Sequence, residues 1–263
     1  MKKIALLLLV APLALAACGG GSSPHVQADP LAFVKHAASR TAGAFSEHMA
    51  MTATVSAAGQ SFSMNGAGDY VNKPPRSNIS MSMSLMGRHV TFDGVQAGTV
   101  MYMRSPLFRK ELPAGKTWMK LDMAKFGKSA GINYSSLMSR SPAQALQQIE
   151  AAGSVKSVGV ETIDGVETTH YQVTNIDITK LLQGAKLQGL GDVKYGPIDV
   201  WVGNKDGYVY RESMSFNYSV SGQSASMSMQ TDLSKFGEKV NVKAPPASEV
   251  FDATSLASGG LGA

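Results

Sequence analysis

Cysteine is almost absent from this chain: Cys18 is the only one in 263 residues. A fold held by disulfide staples is therefore excluded, and apolar burial alone must carry the stability. Aromatic residues make up only 7% and charged residues only 16%, with a formal net charge of +5. No basic cluster interleaves with aromatics, which argues against nucleic acid as a partner. The first apolar run, Ile4 to Ala17, is shorter than the about 20 residues a membrane-crossing helix needs.

That run follows Lys2 and Lys3 and ends in Leu15-Ala16-Ala17-Cys18. A charged head, a short apolar stretch and small residues before a cleavage point describe a secretory leader over residues 1–17, removed rather than folded. Leu-Ala-Ala-Cys resembles a bacterial lipobox, in which the cysteine sulfur takes up diacylglycerol, so Cys18 is expected to be an acylated membrane anchor on the extracytoplasmic face. Without the leader lysines, 22 basic residues stand against 19 acidic ones. Gly19 to Ala28 then reads as a flexible tether, residues 29–251 as one folded domain, and residues 252–263, poor in large apolar groups, as a disordered tail.

Asp29-Pro30 places an N-cap ahead of proline at the first helical position, and Leu31, Val34 and Ala38 continue at helical spacing until Gly43. From Glu47 the period becomes two. Met49, Met51, Ala53 and Val55 alternate with polar residues, as do Phe62 and Met64, then Met81, Met83 and Leu85, and later Met214, Phe216, Met227 and Met229. Gly59, Pro74-Pro75, Gly87 and Asp93-Gly94 are expected to be turns, and Asp164-Gly165 the turn of a hairpin. Ser141-Pro142-Ala143-Gln144 predicts a helix to Gly153, and a further short helix is expected from Asp177. These elements add up to an α+β fold with some ten or eleven antiparallel strands, apolar on one face and rich in Ser and Thr on the other.

Of the 15 methionines, eleven fall in the expected strands: Met49, Met51, Met64, Met81, Met83, Met101, Met103, Met119, Met214, Met227 and Met229. Strands ordinarily favour β-branched and aromatic residues. Methionine, unbranched and polarizable, makes an adaptable surface instead. One reading is a Met-rich packed core; the other is a hydrophobic ligand cavity. So many strands must curl, and three helices cover them incompletely, which favours a hollow suited to lipid tails. Its expected lining is Met49, Met51, Val55, Phe62, Met64, Met81, Met83, Leu85, Met214, Phe216, Met227 and Met229.

Four segments in order, Leu112-Pro113-Ala114-Gly115-Lys116 with Trp118, Gly165 to Tyr171, Pro197 to Val202, and Val242 to Pro246 with Val250, resemble the LppX/LprG lipoproteins of actinobacteria, whose fold is similar to that of LolA and LolB. The resemblance implies a strongly curved antiparallel half-barrel, helices over its concave apolar face, and a cavity that takes an acylated lipid or glycolipid for carriage or presentation in the cell envelope. It carries over no ligand-contact residue, only the Cys18 anchor. The alternative is an envelope scaffold lipoprotein with a filled core and no transported ligand.

Catalytic strings are weak. Gly127-Lys128-Ser129-Ala130-Gly131 fits a nucleophile elbow but lacks the strand before and helix after the serine. His25, His36, His48, His89 and His170 are scattered, so no metal site is expected, and His170 reads as a surface or structural residue. The chain is expected to be neither an enzyme nor a cofactor protein.

Overall fold

The computed structural model describes residues 29–57, 59–85, 88–125, 152–176, 194–220 and 223–255. The leader and tether with Cys18, Ser129, and the helices expected from Ser141 and from Asp177 lie outside them.

Helix α1 (Pro30–Ala42) starts as its sequence dictates: Asp29 Oδ1 accepts the Ala32 amide at 3.0 Å and Pro30 fills the first turn. Val34, Ala37, Ala38 and Thr41, spaced as one helical face, are its buried residues. Thr41 fixes α1 to the sheet, because its Oγ1 donates to Ala37 O at 2.9 Å and accepts the Val209 amide at 2.8 Å.

Among the described residues twelve strands follow: β1 (Ser46–Ala57), β2 (Gln60–Asn72), β3 (Pro75–Leu85), β4 (Arg88–Ala97), β5 (Val100–Arg104), β6 (Trp118–Asp122), β7 (Ala152–Ile163), β8 (Val166–Ile176), β9 (Lys194–Gly203), β10 (Val209–Val220), β11 (Gln223–Ser234) and β12 (Val250–Asp252). They form one open sheet in the order β12-β6-β5-β4-β3-β2-β1-β11-β10-β9-β8-β7. Two antiparallel meanders, β1 to β6 and β7 to β11, thus meet where β1 pairs with β11. The Asp164-Gly165 turn between β7 and β8 has both residues at positive φ, 47° and 81°, as a two-residue hairpin with the sheet's twist requires.

Two expectations need correction. Among the described residues the strand count is twelve, not ten or eleven, because Val250–Asp252 adds a parallel pair to β6. Val250–Asp252 is too short to show a period of its own; what orders it is non-local, the Thr117 amide on Glu249 O at 2.9 Å and Lys120 Nζ on Asp252 Oδ2 at 2.9 Å. Beyond β12, Ala253 and Thr254 are also buried. Asp93-Gly94 is not a turn but the middle of β4. Asp93 takes Ser80 Oγ at 2.8 Å and the Arg104 guanidinium at 2.8 and 3.0 Å, while a Cβ on Gly94 would sit 3.1 Å from Ile79 Cγ2. The pair serves cross-strand fit rather than chain reversal.

The closed core lies under α1. Val34, Ala37 and Ala38 meet Tyr171 and Val173 of β8, Ile198, Val200 and Val202 of β9, Val209 of β10 and Leu233 of β11. Phe33 packs on Tyr171 with ring centroids 5.5 Å apart.

Candidate functional site

In an antiparallel sheet, residues directly opposite project to the same side. The register therefore decides which side chains share a face. Met103 pairs with Met119, Met101 with Leu121, Gly94 with both Met103 and Ile79, and Phe92 with Met81. Val90 pairs with Met83, Met83 with Met64, and Met64 with Ala53. Across the centre, Val55 pairs with both Phe62 and Met227, Met49 with Leu233, Met51 with Thr231, Met229 with Met214, and Met227 with Phe216. Following these pairs from β6 to β10, all eleven strand methionines fall on one face, together with Val55, Phe62 and Phe216. Leu85, two residues beyond Met83 and opposite Arg88, continues the same register, and its side chain is outside the described set.

This face has two parts. Under α1 it consists of Val, Ile, Leu and Tyr with 0 to 6% of their surface exposed. Away from α1, every one of the eleven methionines is only half-buried, as are Val55, Phe62 and Phe216. Branched side chains thus occupy the positions where a neighbour fixes their shape, and flexible thioethers occupy the rest. Met49 and Met214 sit at the boundary, packed against the closed core.

Two carboxyl groups are buried in the same register. Glu47 is two residues from Met49 and opposite Tyr70; Glu212 is two residues from Met214 and opposite Val200 and Thr231. Glu47 is 0% and Glu212 4% exposed. Glu212 Oε2 has no hydrogen-bond partner among the described residues. Burial, reinforced by the Glu47 charge, pushes the Glu212 carboxyl up to about 7, and burial followed by the same Glu47 charge raises the Tyr70 phenol. Glu212 therefore places a buried carboxyl that titrates near neutrality at the border of an apolar surface. The alternation of apolar and polar residues held the clue, since both glutamates stand in phase with methionines.

The opposite face is hydroxyl-rich, and several of its charges are paired across strands. His48 Nδ1 lies 2.8 Å from Asp69, and Arg211 forks onto Asp232 with one contact at 3.0 Å. His170 is held at Nδ1 by Glu161 at 3.0 Å and at Nε2 by Asp199 at 2.9 Å, and stacks on Trp201 with centroids 4.2 Å apart. Trp201 Nε1 donates to Glu161 Oε2 at 3.0 Å, so the cluster clasps β7, β8 and β9 together. Among the described residues, no three His, Cys, Asp or Glu side chains converge to hold a metal ion. Nor is any described helix long and apolar enough to cross a membrane.

No family model matches the chain. In sequence it is 26% identical over 153 residues to an uncharacterised 31.2 kDa protein of Streptomyces griseus, a match covering 52% of this chain and 48% of the relative. It is 26% identical over 150 residues to a protein named as a candidate lipoprotein in Streptomyces coelicolor, covering 56% of this chain and 46% of that one. The chain thus spans about half the length of the curated relatives it matches. In structure it is similar to the lipoprotein LppX of Mycobacterium tuberculosis, with 18% identity and a TM-score of 0.49 over 81% of this chain and 97% of that one, and to LprF of Mycobacterium bovis, with 15% identity and a TM-score of 0.47 over 82% and 96%.

Proposed function

We propose that this chain is a membrane-anchored envelope lipoprotein that binds an acylated lipid or glycolipid against its methionine-rich face and carries or presents it, the anchor being acyl groups on Cys18. The observation that carries the reading is the division of one apolar face into a closed Val/Ile core under α1 and a half-buried surface holding all eleven strand methionines. A half-buried apolar surface is costly to leave wet, and a surface of thioethers adapts to chains of varied length and unsaturation. In this reading the sheet curves around the ligand as a half-barrel. Lipoprotein status accords with the name of the Streptomyces coelicolor relative.

The role is binding rather than catalysis. Among the described residues, His48 and His170 on the hydroxyl-rich face are held by carboxylates as cross-strand pairs, and the methionine face is mainly apolar. Mass spectrometry of organic extracts from the purified chain tests the proposal: a stoichiometric acylated species besides the Cys18 anchor is expected. Extracts that hold no such species would leave the filled-core scaffold as the better reading.

A further inference from the structure

On the hydroxyl-rich side, the outer surface of β4 and β5 and the connection from residue 105 to 117 enclose a cleft of about 350 Å³, within the size range of small-ligand sites. Its floor is the Asp93–Arg104 pair, with Arg104 laid over the Trp118 ring 4.7 Å from the centroid. Two further cations line it. Lys116 Nζ gives one proton to Ser248 O at 2.8 Å and makes no ion pair among the described residues. Arg109 has no side-chain partner among them. The single remaining carboxylate, Glu249, is engaged by Thr117 Oγ1 at 2.8 Å. Ser105, 5% exposed, accepts the Leu107 amide at 3.3 Å, which leaves its own hydroxyl proton to give.

The cleft therefore sets three cations, Arg104, Arg109 and Lys116, against two carboxylates, Asp93 and Glu249, an excess of one positive charge, and neither Arg109 nor Lys116 is in an ion pair among the described residues. From this we infer that it is an anion site for a phosphate group. Arg109 offers the planar fork that matches two phosphate oxygens, Lys116 a point charge, and Ser105 a neutral donor. A carboxylate would use the fork alone; a tetrahedral dianion uses all three. Leu112 on the cleft wall and Leu107, 54% exposed beside it, leave room for the apolar part of a phosphate ester. The source is either a lipid headgroup or a free phosphate. The site lies on the face opposite the methionines and stands whether or not those bind lipid.

Calorimetric titration of the full chain in detergent tests it, with inorganic phosphate and glycerol phosphate as probes. Saturable binding of at least one probe is expected, weakened by about tenfold or more in Arg109→Glu and Lys116→Glu, with the lipid content of the methionine face unchanged. Arg109→Ala serves as a milder variant, and circular dichroism checks that each folds. Tighter binding of glycerol phosphate assigns the site to an ester headgroup, and equal binding assigns it to free phosphate. Lys73→Glu, a charge reversal on the remote β2–β3 turn, should leave binding intact. Absence of saturable binding to both probes, or an equal loss in Lys73→Glu, overturns the proposal.

Discussion

Met83 on β3 stands directly across from Met64 on β2, both half-buried, while Ser82 between Met81 and Met83 points to the other face opposite Asn65. Met83→Trp separates the two meanings of this face. If ligand occupies the space, the indole takes over lipid volume: bound lipid should fall while the unfolding midpoint holds. In a packed core the same change would cost about 1 to 3 kcal/mol through overpacking. Extracted lipid and melting temperature should be measured together, with Ser82→Trp as the opposite-face control.

Gly68 lies on the same face, opposite Ile79 of β3. A Cβ there would meet Asn78 O at 2.0 Å and Ile79 Cα at 2.8 Å, both backbone atoms that cannot swing aside. Gly68→Val should accordingly force the strands apart and destabilise the domain by about 2 kcal/mol or more. Gly98→Ala, on an open turn with nothing within 4 Å but a φ of 61°, should cost less. Denaturant midpoints of the two variants compare them directly.

How far the sequence could be read depends on where the information lies. The period of two placed Met81, Met83, Met214 and Met229 on one face correctly, because each strand carries its own alternation. The Asp29 cap and the Asp164-Gly165 turn were equally legible, since their chemistry is local. Asp93-Gly94 misled because the same two residues serve a turn or a close strand crossing, and only the facing Ile79 and Arg104 distinguish these. β12 was invisible for a related reason: three residues become a strand only when β6 offers them hydrogen bonds. The phosphate cleft draws on residues 91 to 249, so no stretch of sequence displays it.

Thr41 joins α1 to β10 through the Val209 amide, and both residues are fully buried. Thr41→Val keeps the shape but leaves that N–H without its acceptor. The expected loss is about 1 to 3 kcal/mol, the cost of an unsatisfied buried donor. Amide exchange should quicken at Val209 and along α1 if the bond holds the helix down. Unchanged exchange would mean that apolar contacts alone dock the helix.

Cys18→Ala tests the anchor. With no sulfur to acylate, the protein should leave the detergent phase of a Triton X-114 partition or remain as uncleaved, unlipidated precursor. Protein that is still acylated and processed after the change would remove the anchor from the proposed function, leaving the methionine face to be judged separately.

Glu212 gives the domain a pH dependence whose sign follows from its burial. The carboxyl is raised from 4.5 to about 7 by burial first and the Glu47 charge second. Below pH 4.5 both folded and unfolded chains hold the proton, and the group's stabilising contribution is complete. As pH rises the unfolded chain releases its proton first, so stability falls through the window up to about 7 and then levels. The span is on the order of 3 kcal/mol. Glu212→Gln keeps the shape and removes the titration, so its stability relative to the parent should increase from pH 4.5 to 7 in urea unfolding series. A constant difference between the two proteins across that window would show that Glu212 is ionised in the folded state and that its carboxylate has a partner or water beyond the described residues.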